Sequence, residues 1–108
     1  MTTFDDRERA FEAQYARDQE MQFKIVARRN RLLGQWAARK MGLTEAEADA
    51  YARDVIRADF EAAGDDDVIR KLLGDLTSAG IDVDESAIRQ ALQHKTVEAR
   101  RHFIEAQS

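Results

Sequence analysis

Residues 43–60 read LTEAEADAYARDVIRADF, and this stretch decides the fold. Thr44 and Glu47 have the spacing of a capping box, in which each side chain accepts a hydrogen bond from the other residue's backbone amide at a helix start. Apolar side chains then recur at spacings of three and four, which places them along one helix face. They are Ala48, Ala52, Val55, Ile56 and Phe60. The stretch therefore predicts an amphipathic helix that needs partners for its apolar face.

Two further helices are predicted after Gly64, which is suited to the left-handed residue that ends a helix. The next helix begins in the run Asp65–Asp67, whose charges favour a helix N-terminus, and ends at Gly80. Asp84 is placed to cap the last helix, with Val83 and Ile88 spaced as a hydrophobic staple. The apolar faces of the two helices are Val68, Ile69, Leu72, Leu73 and Leu76, then Ile88, Leu92, Thr96, Ala99 and Phe103.

The composition favours a single all-α domain. The chain has 108 residues, no Pro and 5 Gly, which suits long uninterrupted helices. No segment alternates with a period of two for long enough to predict a strand. The absence of Cys excludes disulfides and thiolate chemistry and is compatible with the reducing cytoplasm. No apolar run approaches the roughly 20 residues of a membrane span, so we expect no direct membrane insertion.

The first forty residues predict a helix with two unequal parts. Large apolar residues share one face, but Asp18 and Gln22 interrupt it, and burying Asp18 without a partner would be costly. The apolar residues of that face are Phe4, Phe11, Tyr15, Ile25, Val26, Leu32, Leu33 and Trp36. We therefore predict an arm over residues 1–18, mobile or loosely docked until a partner buries its aromatic rings, and a four-helix bundle over residues 19–108.

The charge is unevenly distributed along the chain. Residues 21–41 hold six Lys and Arg and no acid, whereas the flanking segments are acidic and the net charge is −4. We interpret this basic segment chiefly as a surface neutralised by neighbouring helices. The alternative is an anion site, for which Arg28, Arg31 and Lys40 are the candidates. Trp36 lies on the apolar face and is predicted to be core, and the net negative charge argues against nucleic acid as a partner.

No residue pattern points to catalysis. The chain has no phosphate-binding loop, no zinc-protease motif and no serine-hydrolase motif. His94 and His102 are eight residues apart, too far along a helix for one metal ion, so no metal site is expected. Acidic runs stand at helix starts, where the helix dipole accounts for them. We therefore predict that the protein is not an enzyme.

Two segments carry a family resemblance. Residues 4–38, FDDRERAFEAQYARDQEMQFKIVARRNRLLGQWAA, closely resemble the opening of the zeta subunits of alphaproteobacterial ATP synthases, an inhibitor family. The resemblance continues through AYARDVIRADFEAAGDDDVIRKL at residues 50–72 and weakens toward the C-terminus. It implies a four-helix bundle that acts as a regulatory inhibitor of the F-type ATP synthase.

The resemblance also implies where that inhibition arises. The N-terminal segment, Thr2 to about Gln19, would enter the catalytic head between its alternating large subunits, next to the rotor stalk, and block rotation in the direction of hydrolysis. The expected contact residues are Phe4, Asp5, Asp6, Arg7, Glu8, Arg9, Phe11 and Tyr15. The protein would be monomeric when free, and cytoplasmic but held at the inner membrane through the ATP synthase.

Two other functions stay open at this point. The resemblance implies ADP or ATP as a regulatory ligand of the bundle, with no cofactor required, so the chain could act as a nucleotide-sensing module. A third interpretation is a helical adaptor for a different partner protein.

Overall fold

Four helices follow one another along the chain and pack as an all-α bundle. In the computed structural model, α1 spans Thr3–Lys40, α2 spans Glu45–Glu61, α3 spans Asp66–Ser78 and α4 spans Glu85–Gln107. The structure describes residues 3–61 and 64–107, and the side chains of residues 17–59 and 64–106. Those residues include no strand, and the predicted fold class is confirmed.

The predicted helix starts are formed by the predicted side chains. The Thr44 amide donates to Glu47 Oε1 at 2.9 Å, and the Glu47 amide donates to Thr44 Oγ1 at 3.2 Å. These bonds favour the carboxylate, so they lower the pKa of Glu47, with the Thr44 amide as the main cause. At α4, the Ala87 amide donates to Asp84 Oδ1 at 2.8 Å. The cap assignments at Thr44 and Asp84 are therefore confirmed.

Glycines with positive φ end two of the helices. Gly80 has a φ of 79°, and the Ile81 amide beyond it donates back to the Leu76 carbonyl at 2.9 Å. Gly42, after α1, has a φ of 74°, and the Leu43 amide donates to the Ala38 carbonyl at 3.0 Å. Both geometries satisfy carbonyls at the helix end that the helix itself leaves unpaired.

The core is built from the apolar faces of all four helices. α1 packs against α2 and α4, and α3 closes the bundle against α2 and α4. Leu73, Leu92 and Trp36 are half-buried at its edge. The buried residues of the core cluster are Leu33, Ala37, Val55, Val68, Ile69, Leu72, Leu76, Ile88 and Ala91.

Helices α1 and α2 approach closely at Gly34. A Cβ atom placed on Gly34 would stand 2.7 Å from Ala52 Cα, 3.2 Å from Val55 Cγ2 and 3.3 Å from Ala52 Cβ. Carbon atoms normally pack at about 3.5–4.0 Å, so the position has no room for a side chain. The helix pair therefore depends on a glycine in the middle of α1, where glycine is otherwise unfavourable.

The N-terminal part of α1 extends the helix beyond the bundle core, as the division of its apolar face predicts. The helix runs without a break from Thr3 to Lys40, so Asp18 and Gln22 interrupt its apolar face and not its backbone. The division appears in burial instead, because both of these side chains are exposed, and Ile25 is the first buried residue among the described side chains. The hydrogen bonds of a helix join backbone groups, so they continue past polar residues whose side chains lie in solvent.

Candidate functional site

The predicted arm forms the start of α1. With 38 residues, α1 is about 57 Å long, whereas α4, with 23 residues, is about 35 Å long. The buried residues of α1 lie between Ile25 and Ala38, in its second half. The excess length of about 22 Å therefore belongs to the N-terminal end, since a helix rises about 1.5 Å per residue.

The backbone of the arm is described from Thr3, but most of its side chains are not. The predicted contact residues Phe4, Asp5, Asp6, Arg7, Glu8, Arg9, Phe11 and Tyr15 lie on α1, and their side chains lie outside the described ones. Arg17, Asp18, Gln19 and Glu20, which follow, are exposed. The contacts of the arm, its mobility and the domain boundary at residue 18 stay predictions.

The basic segment is partly neutralised within the chain, as interpreted from the sequence. Arg29 is only 6% exposed, and its Nη2 donates to Asp65 Oδ1 at 2.9 Å, just before α3. The same guanidinium donates to Oδ1 of the buried Asn30, from Nε at 3.2 Å and from Nη2 at 3.0 Å. The partner of Arg29 is thus Asp65 at the start of α3, whose carboxylate compensates a cation that would be costly to bury alone.

Trp36 packs against the core, as its place on the apolar face predicts. It is half-buried, and Lys40 Nζ lies 5.1 Å from the centre of a Trp36 ring. The ammonium group is attracted by the electron-rich face of the indole. Lys40 is thereby engaged with its own helix, and the indole ring serves mainly as a packing surface.

The three candidates for a nucleotide site are spread along α1. Lys40 is nine residues beyond Arg31, which is about 13 Å along the axis and on the opposite side of the helix. Arg31 is exposed and lines a shallow depression with Asp49 and Arg53 of α2. Arg28 is half-buried, and its Nε has no hydrogen-bond partner among the described residues. The helix does not bring the three cations together.

An apolar groove lies between α1 and α2, beginning just after the predicted arm. It encloses about 390 Å³, and we call it the α1–α2 groove. Phe23, at one edge, is 54% exposed although it is large and apolar. Asp59 of α2 is the one Asp, Glu, Lys or Arg among its described lining residues. The lining residues are Gln19, Gln22, Phe23, Val26, Ala27, Asn30, Ile56 and Asp59.

A polar cluster between α2 and α3 is absent from the sequence predictions. The Tyr51 hydroxyl donates to Asp75 Oδ2 at 2.7 Å, and Lys71 Nζ donates to the same oxygen at 3.1 Å. Lys71 also lies over the Tyr51 ring, 5.2 Å from its centre. Burial, followed by the neighbouring carboxylate, raises the pKa of Tyr51 well above that of a free phenol. The spacing of four between Lys71 and Asp75 was the only sequence signal for this cluster.

The two histidines and the helix lengths bear on metal and membrane binding in the part of the chain that the structure describes. His94 and His102 are both exposed. Over the described ranges, no group of three or more His, Asp and Glu residues is arranged to hold a metal ion. The same part of the chain has no helix that is both long and apolar enough to span a bilayer.

Comparison with known proteins identifies the family. Residues 1–102 match the family described as ATPase inhibitor subunit zeta. The chain belongs to this zeta family. A solution NMR structure is 42% identical to the zeta chain described here, and the match covers 80% of this chain and 98% of that chain with a TM-score of 0.70. No curated protein matches the sequence. The resemblance seen in residues 4–38 and 50–72 is thus confirmed over nearly the whole chain.

Proposed function

We propose that this zeta-family protein inhibits ATP hydrolysis by the F-type ATP synthase by inserting its N-terminal arm into the catalytic head. The match to the family of ATPase inhibitor zeta subunits supports the inhibitory role, and it supports a regulatory rather than a catalytic function. The observation that supports the arm as the inserted part is the length of α1, which exceeds that of α4 by about 22 Å at the N-terminal end. The partner surface is the cleft between two alternating large subunits, next to the rotor stalk.

The continuous helix makes insertion energetically reasonable. Ordering a flexible segment costs about 1–2 kcal/mol per residue in backbone entropy, and the interface has to offset that cost. An arm that already continues the helical geometry of α1 has less entropy to lose on binding than an unstructured one. Phe4, Phe11 and Tyr15 then provide apolar area for burial, and aromatic anchors of this kind commonly dominate protein interfaces.

Deletion of residues 1–18 tests the proposal. We expect the shortened protein to lose inhibition of ATP hydrolysis by the purified catalytic head. Because the core residues lie between Ile25 and Ala99, the helical circular dichroism of the bundle and its thermal transition should persist. Inhibition by the shortened protein at the same concentrations as the full chain would contradict the arm mechanism.

Nucleotide binding is a second candidate function, and one observation favours it. The buried Nε of Arg28 has no hydrogen-bond partner among the described residues, and a guanidinium N–H is a suitable donor to a phosphate oxygen. A titration with ADP or ATP, followed by amide chemical shifts, tests it. Shifts that stay unchanged throughout residues 21–60 would exclude a site on this part of the bundle.

A further inference from the structure

The α1–α2 groove begins immediately after the arm. Gln19, its first lining residue, follows the predicted end of the arm at residue 18. The side chains of Phe23, Val26 and Ile56 give the groove a mainly apolar lining, and its volume of about 390 Å³ is sufficient for one or two large apolar side chains. With respect to the described residues the groove is open to solvent, and a concave apolar surface of this kind commonly marks an interaction site.

The unbroken α1 fixes the position of the groove relative to the arm. Phe23 lies eight residues after Tyr15, which is about 12 Å along the helix axis. No loop or kink separates the two, because α1 is one helix from Thr3 to Lys40. A partner that holds the arm as far as residue 18 therefore comes within one helical turn of Gln19, the first lining residue of the groove.

The charge at the groove restricts the chemistry of the group that could occupy it. Among the described lining residues, Asp59 is the one acid, and none is Lys or Arg. Phosphate groups or an acidic peptide would be repelled by this carboxylate. A partner segment with an apolar side chain next to a basic one would bury the apolar side chain against Phe23 and Ile56 and place the basic one beside Asp59.

We propose that the α1–α2 groove is a second contact with the same catalytic head, occupied by an apolar side chain that a basic residue flanks at the cleft entrance. This inference rests on the proposed function and deepens it. The arm enters the cleft, and the groove holds the bundle against the cleft entrance. Two linked contacts strengthen binding because the second forms within an already assembled complex.

Two variants of the full-length chain test the groove, and a third is their control. Phe23→Ala removes the exposed edge of the groove, and Ala27→Phe fills it without adding charge. Ile104→Ala removes a comparable side chain, 65% exposed, from α4. The measurement is the protein concentration that half-inhibits ATP hydrolysis by the purified catalytic head. We expect about a tenfold increase for each groove variant, within the range of alanine substitutions at interface anchors, and less than twofold for the control.

The variants must first show the circular dichroism and melting temperature of the wild-type protein within a few degrees. Wild-type potency of both groove variants would overturn the groove contact, and the arm mechanism would stand if deletion of residues 1–18 still abolished inhibition. Loss of potency in the groove variants, together with full potency of the shortened protein, would contradict the arm mechanism and leave the groove contact supported. Sedimentation that shows a dimer, which Phe23→Ala dissociates without changing inhibition, would assign the groove to a second copy and overturn the proposal.

Discussion

Replacing Gly34 with Ala tests the packing of α1 on α2. The added Cβ would stand 2.7 Å from Ala52 Cα, which is backbone and has no rotamer that could move it away. Restoring a contact of about 3.5 Å requires the helices to separate by about 0.8 Å. A gap of that size forfeits a quarter to a half of the attraction between neighbouring atoms along the interface.

The magnitude of the Gly34→Ala effect follows from two opposing terms. Forcing an extra methyl group into a packed core typically costs about 1–3 kcal/mol. Ala instead of Gly within a helix contributes about 0.5–1 kcal/mol in the favourable direction. We therefore expect the free energy of unfolding to fall by about 0.5–2 kcal/mol.

Gly74→Ala is the matched control within α3. A Cβ atom at Gly74 meets no neighbouring atom of the described residues within 4 Å, so only the helix-propensity term applies there. We expect this variant to be stabilised by about 0.5–1 kcal/mol. Urea unfolding followed by circular dichroism measures both changes through the transition midpoints and slopes. A Gly34→Ala protein as stable as Gly74→Ala would refute the close approach of α1 and α2.

Two further predictions concern the polar contacts between helices. Asp65→Asn leaves the buried Arg29 without its carboxylate partner. Because Asp65 is itself about half exposed, we expect the free energy of unfolding, measured with urea, to fall by about 1–2 kcal/mol. Asp67→Asn, which removes the exposed pair with Arg70, should change it by less than about 0.5 kcal/mol. Tyr51→Phe should cost about 1 kcal/mol near neutral pH. Folding raises the pKa of the Tyr51 hydroxyl, so above a pH of about 10 the folded wild-type protein keeps a proton that the unfolded chain has lost. The free energy of unfolding of the wild type should therefore fall as the pH rises above that value. Equal pH slopes for the wild type and Tyr51→Phe above that pH would contradict this assignment.

The candidate site could be predicted only in part from the sequence. The contrast between a polar start and an apolar second half of α1 predicted an arm, because solvent-facing and core-facing segments differ in composition. The groove could not be predicted, since Phe23 and Ile56 come from different helices and meet only through their packing. Arg28, Arg31 and Lys40 stay candidates for a nucleotide site, and the sequence could not show where they lie relative to one another, because nine residues separate Arg31 from Lys40 by about 13 Å along α1.

The sequence by itself determined the four helices and their ends. The capping pair Thr44 and Glu47, the cap at Asp84 and the spacing of apolar residues act over three or four positions, so their geometry is set within each helix. Tertiary structure alone decided which residues meet between helices: Gly34 with Ala52, Arg29 with Asp65, and Tyr51 with Asp75. These contacts depend on the relative rotation and spacing of whole helices, which many weak packing contacts determine together.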